Sequence, residues 1–321
     1  MGVLMLVLIA ALLSRAGAGR VCPRAVWGLM LGALAPELDR TARLVSPELH
    51  LRVAHAALHS VFTAPLLAVA CAAAIRGISR RRCGWGAAFS LAGAGIAINL
   101  FVAWAGSPGI RLLWPVSGRW FRGGFLPEWD LWMAVLLAAA WFIPWLLGIA
   151  SSEMGAGKPS GRGAAVVALC LAVLIGFGRF LLHSRAVTVL ESHLYDGAPP
   201  LRTAALPSPL NPLSWTGLVE SRESIRRYSG LRPLEEFDPS RGEVYSKAEA
   251  RPLFEQARGT REFQAFLGFY EWSYWRAAPL PEPEGGWEVE VVDLAQRRGQ
   301  AARVRAWFDA DGRLLRVELR P

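Results

Sequence analysis

Residues 31–61 read LGALAPELDRTARLVSPELHLRVAHAALHSV, and the rest of the chain is organised around them. Between two apolar runs this stretch gathers Glu37, Asp39, His50, His55 and His59. Carboxylate oxygens and neutral imidazole nitrogens together suit zinc, manganese or iron. His55 and His59 are four apart, so a helix would carry both on one face. Glu37 and Asp39 follow Pro36, where a helix is entered or left. The same residues also suit a solvated polar connector, and chemistry alone leaves both readings open.

Working outward, the 321 residues are 53% hydrophobic and 19% charged, and the apolar residues come in long blocks. That is more apolar than an ordinary soluble domain. The blocks predict an α-helical polytopic membrane domain of about six segments, near 1–13, 25–35, 59–75, 84–105, 131–149 and 164–182. The first two are shorter than the roughly 20 residues a span needs. No Lys or Arg precedes the first apolar core, so it reads as a retained helix rather than a signal peptide. Gly28, Gly32 and Ala33 would let a short helical hairpin pack closely. Arg179, near the end of the sixth segment, is expected to snorkel to the interface.

The net charge of +9 sits largely on arginines in short loops between apolar segments. Membrane topology explains that pattern better than nucleic acid does, and no zinc-finger or RNA-binding signature accompanies it; no nucleic-acid partner is expected. With the Arg80–Arg82 loop in the cytoplasm, alternation puts 37–58, 106–130 and the C-terminal domain outside. The loop LLWPVSGRWFRGGFLPEWDLW is rich in tryptophan. It reads either as an interfacial aromatic belt or as the wall of a lipid-facing cleft. In the second reading Trp114, Arg119 and Arg122 bind substrate, the arginines pairing with an anionic headgroup. The four cysteines, Cys22, Cys71, Cys83 and Cys170, form no CxxC. They read as buried structural residues rather than as a disulfide framework.

The motifs together resemble the membrane-bound metal-dependent hydrolases of the YdjM, YbcI and YfhP type. That family pairs a Gly-rich helix ending in Leu-Pro-Asp-x-Asp with a later His-Arg-Gly-x-Thr-His-Ser box. Here the first reads Ala35-Pro36-Glu37-Leu38-Asp39 and the second Ala54-His55-Ala56-Ala57-Leu58-His59-Ser60. A family His-x-x-x-Asp segment followed by Leu-Leu-Trp-Pro is matched by 99–103 and then by Leu112-Leu113-Trp114-Pro115. The resemblance covers roughly 8–125 well, and Leu206–Trp215 loosely. It implies a divalent metal, zinc or manganese, held by Glu37, Asp39, His55 and His59, and hydrolysis of an ester or phosphoester at the membrane interface. The departures are specific. His55 falls where the family has Arg, and Asn99 and Ala103 stand for the later His and Asp. The alternative implied by these losses is a catalytically degenerate membrane scaffold whose C-terminal domain binds an envelope partner.

The expected organisation is a transmembrane domain over 1–183, a Pro-rich linker over 184–214, and an extracytoplasmic domain over 215–321. That tail reads as a small α+β domain with an antiparallel sheet. Helical spacing runs over 248–269, strands alternate in YEWSYWRA and WEVEVVDL, and ARVRAWFDADGRLLRVELR is a hairpin turning at Asp311-Gly312. The expected location is the inner (plasma) membrane, multi-pass, with membrane lipid as the surrounding partner.

Overall fold

The computed structural model describes residues 2–22, 24–80, 82–153, 160–247, 252–281, 285–296 and 301–320. The chain divides into two units. Met1–Asp39, His55–Leu182 and Pro207–Pro212 form a helical unit; Arg40–Ala54, His183–Leu206 and Leu213–Pro321 form the other.

In chain order the first helices are α1 (Val3–Ala16), α2 (Ala25–Leu34), α3 (Pro47–Val53), α4 (Ala64–Ile78), α5 (Trp85–Ala105), α6 (Leu131–Glu153) and α7 (Arg162–Glu191). A 3-10 helix over Ala35–Leu44 continues directly from α2. The six apolar segments correspond to α1, α2 and α4 to α7. Among the described residues three helical stretches, 85–105, 131–150 and 162–191, are long and apolar enough to cross a membrane. At 14 and 15 residues α1 and α4 fall short, and α2 has only 10. At 1.5 Å per residue α2 reaches about half of a ~30 Å hydrocarbon layer.

Small residues set the packing. A Cβ on Gly32 would overlap the Ala92 carbonyl, and one on Gly95 would overlap the Leu29 carbonyl, so α2 and α5 meet backbone to backbone. One core joins Ala10, Ala25, Leu29, Ala72, Ile75 and Leu91; a second joins Met5, Leu8 and Leu12 to Met133, Leu137 and Ala168. α1 contributes to both.

Two expectations for this unit are corrected. Cys22 and Cys83 form a disulfide, with Cα atoms 5.4 Å apart. They are 61 residues apart in sequence, and only the packing of α2 on α4 and α5 brings them together. Arg179 does not snorkel. It is buried, with Nη2 2.6 Å from Asp130 Oδ2 and each side chain only 2% exposed. A counter-ion inside the unit replaces the interface as the partner of its charge. Asp130 also caps α6, its Oδ1 accepting from the Met133 amide at 3.1 Å.

The second unit holds two four-stranded sheets. The first comprises β1 (Arg202–Pro207), β2 (Trp215–Glu220), β3 (Ser224–Leu231) and β4 (Glu243–Ser246). After α8 (Pro252–Arg258) and α9 (Arg261–Phe269) the second follows with β5 (Ser273–Pro279), β6 (Trp287–Asp293), β7 (Arg303–Phe308) and β8 (Leu314–Arg320). Sheet order is sequential in both, and β5 to β8 pair antiparallel. Val289, Val291, Val304, Ala306 and Phe308 bury one face of the second sheet against Phe254, Phe263 and Phe266. The other face aligns Arg276, Glu290, Arg305 and Glu318 across four strands, an alternating-charge ladder. The β7–β8 turn has Gly312 at φ +76°, as the Asp-Gly pair predicts.

The tail is thus α+β, with two sheets rather than one. Within 184–214, expected as a linker, α7 continues to Glu191 and β1 forms over Arg202–Pro207. The helical spacing over 248–269 resolves into α8 and α9; its first residues, 248–251, lie outside those described.

Candidate functional site

The site residues sit where α2 gives way to its 3-10 extension and where the chain turns between α3 and α4. Pro36 ends the regular α-helix, and the tighter helix that follows carries Glu37 and Asp39. Past α3, Ala54 leaves helical geometry (ψ 134°) and His55 adopts a left-handed φ of +55°, a conformation uncommon for a non-glycine residue. His55 and His59 therefore do not share a helix face, as their spacing predicts. The turn nevertheless brings their rings to 4.9 Å between centroids.

Asp39 organises this turn. Its Oδ2 accepts from the His55 backbone amide at 2.9 Å and from His59 Nδ1 at 3.0 Å. Asp39 is 6% exposed and His59 1%. A carboxylate can only accept, so Nδ1 carries a hydrogen, and in the neutral ring the lone pair falls on Nε2. Nε2 of His59 and Oδ1 of Asp39 are buried with no hydrogen-bond partner among the described residues.

Asn99 reaches the same turn from α5. Its Nδ2 donates to the Ala33 carbonyl and to Glu37 Oε1, both at 2.9 Å, so it ties the end of α2 to Glu37. Its own Oδ1 is buried without a hydrogen-bond partner among the described residues. The 106–122 loop pins the turn from another side. The Arg111 amide donates to the His55 carbonyl at 2.8 Å, the Val61 amide to Leu112 at 3.0 Å, and Ser60 Oγ to the Trp114 carbonyl at 2.5 Å.

Of the three expected substrate-binding residues, Trp114 thus meets the turn through its backbone. Arg119 and Arg122 are exposed. Arg119 lies 5.7 Å over Phe121; Arg122 lies 5.1 Å over Trp120 and donates Nε to the Pro108 carbonyl at 2.6 Å. Arg111 flanks the same Trp120 ring at 4.6 Å. Burial and then the neighbouring charge of Arg122 lower the pKa of Arg111.

Could these residues hold a divalent ion? Among the described residues no group of three or more His, Cys, Asp or Glu side chains is placed to do so. The four-residue set Glu37, Asp39, His55 and His59 is not assembled as a ligand cage. One oxygen of Asp39 is committed to the turn and one of Glu37 to Asn99. What fits in chemistry is a smaller donor set, namely His59 Nε2, Asp39 Oδ1 and Asn99 Oδ1, each buried and lacking a hydrogen-bond partner. Ala103 adds no donor.

Sequence reasoning undervalued Asn99, treating it as a substitute ligand when it is first a tie between helices. The signal was present: an amide in an apolar helix seeks a buried partner. Arg111 had no comparable signal, because its link to His55 runs through the backbone.

No curated protein and no solved structure matches the chain. A family model does: the one described as YdjM inner membrane protein spans residues 1–186, taking in every residue of this site, and the chain belongs to that family.

Proposed function

We propose that the chain is a membrane-bound hydrolase that cleaves an ester or phosphoester at the membrane interface, with His59 as its reacting group. One observation carries this reading: the buried Asp39–His59 pair, whose Nε2 is left without a hydrogen-bond partner among the described residues. Asp39 fixes the ring tautomer and orientation. Nε2 then takes the proton of a water as that water attacks the ester, and returns it to the departing oxygen. Where a divalent ion, zinc or manganese, binds instead, His59 Nε2 with Asp39 Oδ1 and Asn99 Oδ1 would hold it, Nε2 would be a ligand and not the base, and the ion would supply polarisation of the water. Trp114, Arg119 and Arg122 remain the candidates for contacting an anionic lipid headgroup.

The test uses the full chain in detergent with p-nitrophenyl butyrate and p-nitrophenyl phosphate, with and without zinc or manganese. Hydrolysis should fall about 100-fold or more in His59→Ala and less in Asp39→Asn. Equal rates in wild type and His59→Ala would overturn the reading.

The degenerate-scaffold reading, with an envelope partner bound by the C-terminal domain, is favoured by Ala103, which offers no donor, and by the lack of a three-ligand group among the described residues. It expects neither hydrolysis nor a metal effect.

The arginine-rich end of α4 supports an extracytoplasmic site and C-terminal domain in the inner membrane. The Cys22–Cys83 disulfide lies beside those same arginines and supports the opposite orientation, because disulfides persist in oxidising compartments. A reporter fused after Pro321 should be active outside the cytoplasm. A cytoplasmic signal would reverse the orientation and leave the disulfide on the oxidising side.

A further inference from the structure

The second unit contains a cavity of about 200 Å³ that the hydrolase reading does not use. Its wall combines Arg227 and Tyr245 of the first sheet with Tyr274, Arg276, Glu290, Val292 and Arg303 of the second, closed by Asp293 and Leu294. Strand periodicity explains the lining. Tyr274, Val292 and Arg303 stand opposite one another across β5, β6 and β7, and Arg276 and Glu290 form the next rank on the same face. This is the face turned away from the phenylalanine core.

Three arginines on one small cavity need an explanation. Arg276 is spent on Glu290, which Arg305 also holds at 2.8 Å. Arg227 is different. It is 7% exposed, its nearest carboxylate contact is Glu243 at 3.9 Å, and its Nη2 reaches the Gln296 carbonyl at 3.3 Å. Its Nε has no hydrogen-bond partner among the described residues. A buried guanidinium held this loosely is costly unless an anion completes it. Arg303 lines the same space. Besides Asp293 and Gln296 the rest of the wall is apolar or aromatic, with Tyr245 and Tyr274 edge to face at 5.3 Å.

We propose that this cavity is a binding site for a small organic carboxylate, its head held by Arg227 and Arg303 and its apolar body lying between the tyrosines and Val292. The guanidinium fork matches a carboxylate in two parallel hydrogen bonds. Asp293 suits the same ligand. Burial pushes its pKa up to about 7, so near neutrality it is protonated in part and can donate a hydrogen bond rather than repel the anion.

The full chain in detergent should be titrated with benzoate, with benzyl alcohol and with chloride at matched ionic strength, following thermal unfolding and tyrosine fluorescence. Benzoate should stabilise saturably, and the two controls should not. Arg303→Gln should weaken the apparent Kd at least tenfold. Arg227→Gln should do the same where it folds; if it does not, Arg303→Gln carries the test, with Arg303→Lys recovering part of the affinity. Equal responses to benzoate and benzyl alcohol, or an unchanged Kd in Arg303→Gln, would overturn the proposal. Stabilisation by chloride equal to that by benzoate would reduce the site to non-specific charge screening and overturn it too.

Discussion

The two units hold their buried aspartates in opposite ways. In the helical unit Asp130 meets Arg179 at 2.6 Å, and Asp39 meets His59 at 3.0 Å. In the second unit Glu290 also meets an arginine, Arg305 at 2.8 Å, but Asp293 has no direct cation among the described residues. Among the described residues its Oδ1 accepts from the Ala295 amide at 3.1 Å, and burial outweighs the pull of that amide and of Arg227. A buried acid with a contacting cation is a structural element; one without is a titrating group. Asp39 lies between these extremes. Its partner is itself titratable, and the pair leaves one oxygen and one nitrogen unsatisfied. Unsatisfied buried polar atoms are uncommon in native proteins, and here they gather where the family's motif falls.

The strongest way to break the comparison is to remove a cation. Arg179→Met should cost about 3–5 kcal/mol, because it leaves Asp130 buried and alone. The double variant Arg179→Met with Asp130→Asn should recover much of that loss. Thermal unfolding in detergent reads both. A cost below about 1 kcal/mol would mean that water reaches the pair.

Asp293 should behave in the reverse sense. Its folded pKa of about 7 lies above the ordinary 3.8, so the folded state holds a proton that the unfolded chain has released. Stability is then fully present below about pH 4 and is lost as pH rises towards 7, by about 4 kcal/mol at most. Asp293→Asn should flatten that slope and stabilise the chain at pH 8. Unfolding followed at pH 5 and pH 8 tests it. An unchanged slope in the variant would assign the pH dependence to another group.

Much of this contrast could be read in the sequence, and the part that could not has a physical cause. Periodicity and turn chemistry located α5, α6, β5, β6 and the β7–β8 hairpin, because each is decided within a few residues. The count of spans was less legible, since α1, α2 and α4 are apolar yet too short to cross alone. β1 and β4 carry little alternation and depend on their neighbours for pairing. Glu37, Asp39, His55 and His59 were visible as a group because they are close in the chain. Their division of labour was not. Asp39 positions His59, Glu37 holds Asn99, and His55 contributes its backbone through a left-handed turn that spacing cannot foretell. The Cys22–Cys83 and Asp130–Arg179 pairs were missed for one reason: each joins segments brought together only by helix packing.

Asp39 sharpens the comparison further. Asp39→Ala leaves the His55 amide and His59 Nδ1 without an acceptor, which should cost about 1–3 kcal/mol. Asp39→Asn keeps an acceptor oxygen and should cost less. If the two variants lose equal stability, the charge of Asp39 and not its geometry holds the turn.

The smallest effect concerns metal. A ligand that binds only the folded state stabilises it by roughly 0.4 kcal/mol at a concentration equal to Kd, and by about 2.7 kcal/mol at a hundredfold excess. With one imidazole and two oxygens on offer, wild type should show only a small shift in unfolding temperature on adding zinc or manganese. That shift should shrink as pH falls, because a protonated imidazole cannot coordinate. Asn99→His with Ala103→Asp should enlarge it by restoring the imidazole and carboxylate that the family's motif carries. The double variant also removes the Asn99 tie to Ala33 and Glu37, so its metal-free stability should drop. The measured quantity is therefore the metal-dependent increment in each protein, not its absolute unfolding temperature. If neither protein gains stability with metal at any pH, His59 Nε2 is not a ligand. Its lone pair then serves as the base or the turn is a scaffold, and hydrolysis by wild type against His59→Ala distinguishes these two.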